Sequence, residues 1–202
     1  MDKIFLRGFQ IEDHLLINKW RNDSEIQKLV STSFKYVSLE IEKEWVKQKM
    51  MDNRKDIYLA ICLNNASQQM IGYASLNNID YINRTVMSGG IVIADKQYQD
   101  GFIRFEVGVK MRELVFSHLN MNRYTAACIS EHFISRVTIE ASGFKLEGCR
   151  RQAIYKDGSY HDQLCYSLLR EEYYKMLEDG QYAVAAYAKR VKQISDRLKK
   201  EK

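Results

Sequence analysis

Two hydrophobic periods alternate along the chain, and their alternation outlines its elements. Residues 3–9 predict a first strand, and residues 11–21 a helix with Leu15, Leu16 and Trp20 on one face. Ser38 is a residue type that accepts from first-turn amides, and it predicts the start of a second helix. That helix has an apolar stripe of Ile41, Trp45, Val46 and Met50, beside a charged side of Glu42, Lys43, Lys47 and Lys49. D-I-Y-L-A-I-C-L (56–63) and the strand at 70–76 flank the turn-forming N-N-A-S-Q-Q (64–69), which predicts a hairpin. A further strand at 85–94 contains Gly89-Gly90, a sign of a bulge or of a close approach of ligand to backbone. Val107, Met111, Leu114, Val115 and Leu119 share a face of a helix over 102–119. Then come a strand at 123–129 and a helix at 133–141 stopped by Ser142-Gly143. Strands at 144–155 and 160–169 follow, joined by the hairpin signal K-D-G-S (156–159). The order β-α-α-β-β-β-α-β-α-β-β implies an α/β (α+β) fold, a mixed sheet with helices on its faces.

Beyond Arg170 the pattern is helical. Val184, Tyr187, Val191, Ile194 and Leu198 form a heptad-like stripe too short for a coiled coil. The stripe belongs to a helix packing on its own domain, to a frayed tail, or to a contact with another subunit. We divide the chain into a domain over 1–175 and a helical extension over 176–202.

At 202 residues and 46% hydrophobic, the chain suits one domain with a real core. Its net charge of +5 is dispersed until the C-terminus. That is a mild bias toward anionic ligands, and it argues against a nucleic-acid partner. The four cysteines, Cys62, Cys128, Cys149 and Cys165, lie far apart without metal-ligand spacing. They read as buried free thiols in a reduced, cytoplasmic protein with no metal. No signal peptide or membrane-length apolar run is apparent, so no membrane partner is expected.

One stretch carries candidate chemistry. Y-Q-D-G-F-I-R-F-E (98–106) links the apolar run G-G-I-V-I-A (89–94) to a helix. Strand-to-helix loops commonly hold phosphate, because amide N–H groups and the helix dipole converge there. Such loops usually carry several glycines, and this one has only Gly101.

Seven stretches in order resemble the GNAT superfamily of N-acetyltransferases over about residues 3–175. They are most similar to its branch of ribosomal-protein alanine and amino-sugar-nucleotide N-acetyltransferases. The stretches are W-R-N-D (20–23), I-G-Y-A-S-L-N-N-I-D (71–80), I-V-I-A-D-K-Q-Y-Q (91–99), L-N-M-N-R (119–123), S-G-F-K-L-E-G (142–148), Y-K-D-G-S-Y-H-D (155–162) and S-L-L-R-E-E-Y (167–173). The resemblance implies a GNAT fold of about seven strands, acetyl-CoA as co-substrate and a primary amine as acceptor. It implies that backbone N–H groups of Ile91, Val92 and Ile93 meet the pantetheine and the thioester carbonyl. The cofactor loop would be Gln99, Asp100, Gly101, Phe102, Ile103 and Arg104, with Ser135 on the following helix. Trp20, Arg21, Asn77, Tyr81 and Tyr155 are acceptor-side candidates. The product would be an acetylated amino sugar, small amine or peptide N-terminus; the C-terminal stripe, read as a subunit contact, implies a possible homodimer.

The chain departs from the family's Q-x-x-G-x-G/A loop. Phe102 and Arg104 stand where the glycines belong, and Gly101 is one place early. A guanidinium at Arg104 offers charge in place of close backbone approach; a solvated surface arginine is the plain alternative. His132 replaces the family's frequent asparagine, Ile139 replaces the tyrosine that some members use as acid, and Met87 lies near the position of a frequent glutamate. Ser130 and His132 are then the candidates for proton transfer, His132 by its intrinsic pKa. These departures also fit a second reading, a GNAT-fold protein without transfer activity that serves as a binding or partner subunit.

Overall fold

The computed structural model describes residues 2–28, 30, 35–51 and 53–200. Seven strands, β1 (Ile4–Gly8), β2 (Ile57–Leu63), β3 (Met70–Asp80), β4 (Thr85–Ile93), β5 (Arg123–Ile129), β6 (Lys145–Lys156) and β7 (Ser159–Leu169), form a mixed sheet in the order β1-β2-β3-β4-β5-β7-β6. The β4–β5 pair is parallel; β1–β2, β2–β3, β5–β7 and β6–β7 are antiparallel. The chain divides into two compact units. The first comprises Met1–Asp80 and Gly89–Met111, the second Tyr81–Ser88 and Arg112–Lys202.

The first unit contains β1 (Ile4–Gly8), α1 (Asp13–Arg21), the short α2 (Ser24–Gln27), α3 (Leu39–Met51), β2 (Ile57–Leu63), β3 (Met70–Asp80), the later part of β4 (Thr85–Ile93) and most of α4 (Phe102–Glu113). Its core gathers Phe9, Ile17, Trp20, Ile26, Val46, Ala60 and Met70, with Trp45, Tyr58 and Tyr73 packed against it. Ser38 does cap α3, its Oγ accepting from the Ile41 N–H at 3.3 Å. Asp23 caps α2, a turn the sequence pattern did not separate from its neighbours.

The predicted apolar stripes need correction here. On α1 the buried positions are Asp13, Ile17 and Trp20, whereas Leu15 and Leu16 are exposed. On α3, Ile41 and Met50 are exposed, and Glu42 from the nominally charged side is fully buried. The reason is an ion pair: Arg21 Nη1 lies 3.2 Å from Glu42 Oε1, and the Arg21 guanidinium sits 3.9 Å over the Trp45 ring. A charged partner and an aromatic face thus turn α3 away from its most apolar stripe.

Two glycines of this unit set how closely β3 and β4 lie. A Cβ on Gly72 would come within 2.1 Å of the Val92 carbonyl oxygen. One on Gly89 would come within 1.9 Å of Asn77 Oδ1 and 2.0 Å of Ser75 Oγ. Gly90 has φ +105°, a backbone region that side chains disfavour. At the Gly-Gly pair the close approach is by β3 side chains at Gly89, with a positive φ at Gly90.

The second unit contains the start of β4, the end of α4 with a π-helical turn (Leu114–His118), β5 (Arg123–Ile129), α5 (Phe133–Ala141), β6 (Lys145–Lys156), β7 (Ser159–Leu169), α6 (Arg170–Glu178) and α7 (Val184–Lys200). The β6–β7 hairpin turns on Asp157 (φ 50°) and Gly158 (φ 82°), the left-handed pair that K-D-G-S predicts. Gly143, at φ +96°, follows the end of α5 as expected. Helix α7 packs on α5. Arg190 Nε donates to the Ala141 carbonyl at 2.9 Å, Arg197 pairs with Glu140, and Leu198 is buried. Its stripe is therefore used within its own unit, except for exposed Val184. Ahead of α7, the Tyr182 ring covers buried Arg112 at 4.5 Å.

The cysteine expectation holds for Cys62 and Cys128 only. Burial pushes the Cys128 thiol up to about 11. Cys165 is half-buried and Cys149 exposed, because β6 is the outermost strand and residues 145–153 are all exposed.

Candidate active site

In the first unit, β4, the loop after it and the first turn of α4 form one bonded assembly. β4 pairs with β5 only over Thr85–Met87. Farther along, the Ile91 carbonyl accepts from Arg104 Nη1 at 3.0 Å, and the Ile93 carbonyl accepts from Gln99 Nε2 at 2.8 Å. These bonds turn the Ile91 and Ile93 carbonyls toward the loop and the start of α4. Strand alternation turns Val92 the other way, where its carbonyl approaches Gly72. Of the three expected backbone donors, Ile91 and Ile93 share one edge and Val92 faces β3.

The loop starts with a 3₁₀ turn (Lys96–Tyr98) capped by the Asp95 carboxylate. Gly101 takes φ +83°, and α4 begins at Phe102. The amides that an anion would use there already have one. Asp100 Oδ1 accepts from Phe102 N at 2.9 Å and from Ile103 N at 3.4 Å. The donor set thus suits an anion, with a carboxylate in that role. Ile103 is buried in the core, and the Phe102 ring lies 4.5 Å beneath the Lys3 ammonium. Arg104 is half-buried and bonded to β4, not a solvated surface arginine. Glu106, one turn on, accepts from the Ile4 amide at 3.2 Å and anchors α4 to β1.

The acceptor-side candidates of this unit fall into one aromatic group. Trp20 is buried and stacks on Tyr73 with ring centroids 6.5 Å apart. Arg21 joins Glu42 and Trp45 as described. Asn77 Nδ2 donates to the Tyr58 hydroxyl at 3.1 Å, while Asn77 Oδ1 lies beneath Gly89 without a hydrogen-bond donor among the described residues. Burial raises the Glu42 carboxyl above its usual range despite Arg21 and His14 nearby. Neither Glu42 oxygen receives a well-directed hydrogen bond among the described residues. Glu42 was missed in the sequence because it looked like one more charge on a solvated face.

The remaining candidates belong to the second unit. Ser130 Oγ donates to Glu131 at 2.8 Å, and Glu131 lies 3.5 Å from His161 Nδ1. The Ser130 hydroxyl, with a smaller part from His161, holds the Glu131 carboxyl below its usual range. His132 caps α5, its Nδ1 accepting from the Ser135 amide at 3.2 Å, so two of the candidates meet directly. Tyr81, in the turn after β3, and Tyr155, near the tip of the β6–β7 hairpin, are exposed. The Tyr155 ring rests on Tyr160, with centroids 5.1 Å apart.

Comparison with known proteins agrees with this architecture. The family model for the acetyltransferase (GNAT) domain matches residues 3–145. The chain is 31% identical over 104 residues to "Putative ribosomal N-acetyltransferase YdaF" of Bacillus subtilis (strain 168), an alignment spanning 52% of this chain and 56% of that protein. It is 22% identical over 171 residues to "Uncharacterized N-acetyltransferase YnaD" of the same organism, covering 85% of this chain and 96% of that one. A spermidine N-acetyltransferase from Vibrio cholerae, solved in complex with CoA and spermine, shares the fold with a TM-score of 0.74 at 24% identity, over 85% of this chain and 98% of that one. No helix among the described residues is long and apolar enough to cross a membrane. The sheet order, the β4–loop–α4 assembly and a family match over most of the chain lead to one assignment: this protein belongs to the GNAT acetyltransferase family.

Proposed function

We propose that this protein is an N-acetyltransferase that moves the acetyl group of acetyl-CoA to a primary amine. The observation that carries the reading is the start of α4 beside the end of β4: the first α4 amides already hold an anionic oxygen, and loop side chains Gln99 and Arg104 bond the Ile93 and Ile91 carbonyls. The co-substrate supplies an activated acyl thioester: the amine nitrogen forms the new bond to the acetyl carbon, the C–S bond breaks, and CoA leaves as the thiol after taking a proton.

The protein's own contribution is positional and electrostatic. The N–H groups of Ile91 and Ile93 would serve an oxygen on which negative charge develops. The bonds from Gln99 and Arg104 to β4 carbonyls hold that strand edge still. The α4 dipole favours a phosphate near Asp100, Gly101, Phe102 and Ile103. Trp20, Arg21, Asn77, Tyr81 and Tyr155 would recognise the acceptor, and Ser130 or His132 would carry the amine proton, with Ser135 supporting His132. The four unpaired thiols support a reducing, cytoplasmic setting.

A second reading, a family member that binds a partner without transferring acetyl groups, is favoured by two features. The Asp100 carboxylate already holds the α4 amides, and side chains stand at both glycine positions of the loop. A thiol-release screen with acetyl-CoA separates the two. Amino sugars, polyamines such as spermine, and peptides with free N-termini serve as acceptors. The proposal expects release that depends on at least one primary amine and disappears when that amine is blocked. Release no faster than without protein, for every amine class, rejects it.

A further inference from the structure

The loop before α4 carries an acidic residue where its ligand's acid should sit. We infer that Asp100 is an internal stand-in for the co-substrate's pyrophosphate, an autoinhibitory contact that the co-substrate must displace. The inference rests on the acetyltransferase reading above.

The argument starts from the donors. Phe102 and Ile103 are the first residues of α4, and their N–H groups have no partner within the helix. Asp100 Oδ1 takes both, at 2.9 and 3.4 Å. A pyrophosphate oxygen would require the same two donors and the same end of the helix dipole. One pair of N–H groups cannot serve two anions, and a displaced carboxylate beside a pyrophosphate adds like-charge repulsion. The hinge for displacement is Gly101, next to Asp100, whose φ of +83° lies in a region that glycine leaves readily. The rest of the loop is held without Asp100, by Gln99 to Ile93, by Arg104 to Ile91 and by buried Ile103. Asp100 can therefore leave the amides while the loop keeps its place.

A side-chain cap of this kind shifts a local equilibrium by about fivefold. Asp100→Asn keeps the shape and removes the charge, and Asp100→Ala removes the cap as well. Calorimetric titration with CoA and with pantetheine, which lacks the pyrophosphate, tests the idea, with thermal melts of each variant to establish folding. The expected result is that Asp100→Ala binds CoA at least about threefold tighter than the unaltered protein, that Asp100→Asn, which keeps the cap without its charge, binds CoA tighter by less, and that pantetheine binding is unchanged. Unchanged or weaker CoA binding by folded variants overturns the inference while leaving the acetyltransferase reading intact. Equal tightening toward pantetheine also overturns it, since the effect would not involve the pyrophosphate. If neither the unaltered protein nor the variants bind CoA, the acetyltransferase reading fails and the inference with it.

Discussion

Glu42 shows how a single residue can reverse the reading of a helix. In the sequence it is one of four charges beside an apolar stripe, yet in the fold it is fully buried against Arg21. Burial raises its pKa above the ordinary value of 4.5. A carboxyl whose folded pKa is raised stabilises the fold below its unfolded pKa and loses that contribution as pH rises through the folded value. Glu42→Gln removes the titration. We expect the melting temperature of Glu42→Gln relative to the unaltered protein to climb as pH rises from 4.5 toward neutrality. Melts at several pH values check this, and a pH-independent difference above 4.5 would show that Glu42 is not strained by its burial. Asp100 was equally hidden. The sequence showed a lone glycine and two bulky replacements, but not that the neighbouring carboxylate would occupy the vacant amides.

At the scale of elements, local chemistry was legible and three-dimensional neighbours were not. K-D-G-S turned as its residues require, Ser38 capped α3, and Ser142-Gly143 ended α5. The last turn of the helix over 102–119 became π-helical, which the apolar spacing does not reveal. Cys149 was read as buried because β6 looks like any apolar strand; only its place at the sheet edge exposes it. Gly72 carries a consequence for the β3–β4 pair. An added methyl would meet the Val92 backbone at 2.1 Å and Ile93 Cα at 3.1 Å, and backbone cannot rotate aside as a side chain does. Gly72→Ala should therefore destabilise the protein by on the order of 2–3 kcal/mol in urea unfolding. A loss below about 0.5 kcal/mol would mean that β4 accommodates the methyl by moving. Because Ile91–Ile93 follow that backbone, CoA binding should weaken in the same variant.

At the scale of the molecule, the sequence announced the family through seven ordered stretches, and the sheet order agrees with it. What it did not announce is how the candidate residues are tied down. Gln99 and Arg104 serve β4 carbonyls, His132 serves the Ser135 amide, and Arg21 serves Glu42. Each is engaged by its own unit, a fact that side-chain identity alone does not carry. The central claim is that the β4 edge and the α4 amides still receive acetyl-CoA although the loop has lost its glycines. A calorimetric titration of the full chain with acetyl-CoA tests it most directly. We predict saturable binding with one ligand per chain, weakened when Arg104→Ala cuts the bond to Ile91. Absence of binding at high micromolar acetyl-CoA would contradict the account and leave the partner-subunit reading in its place.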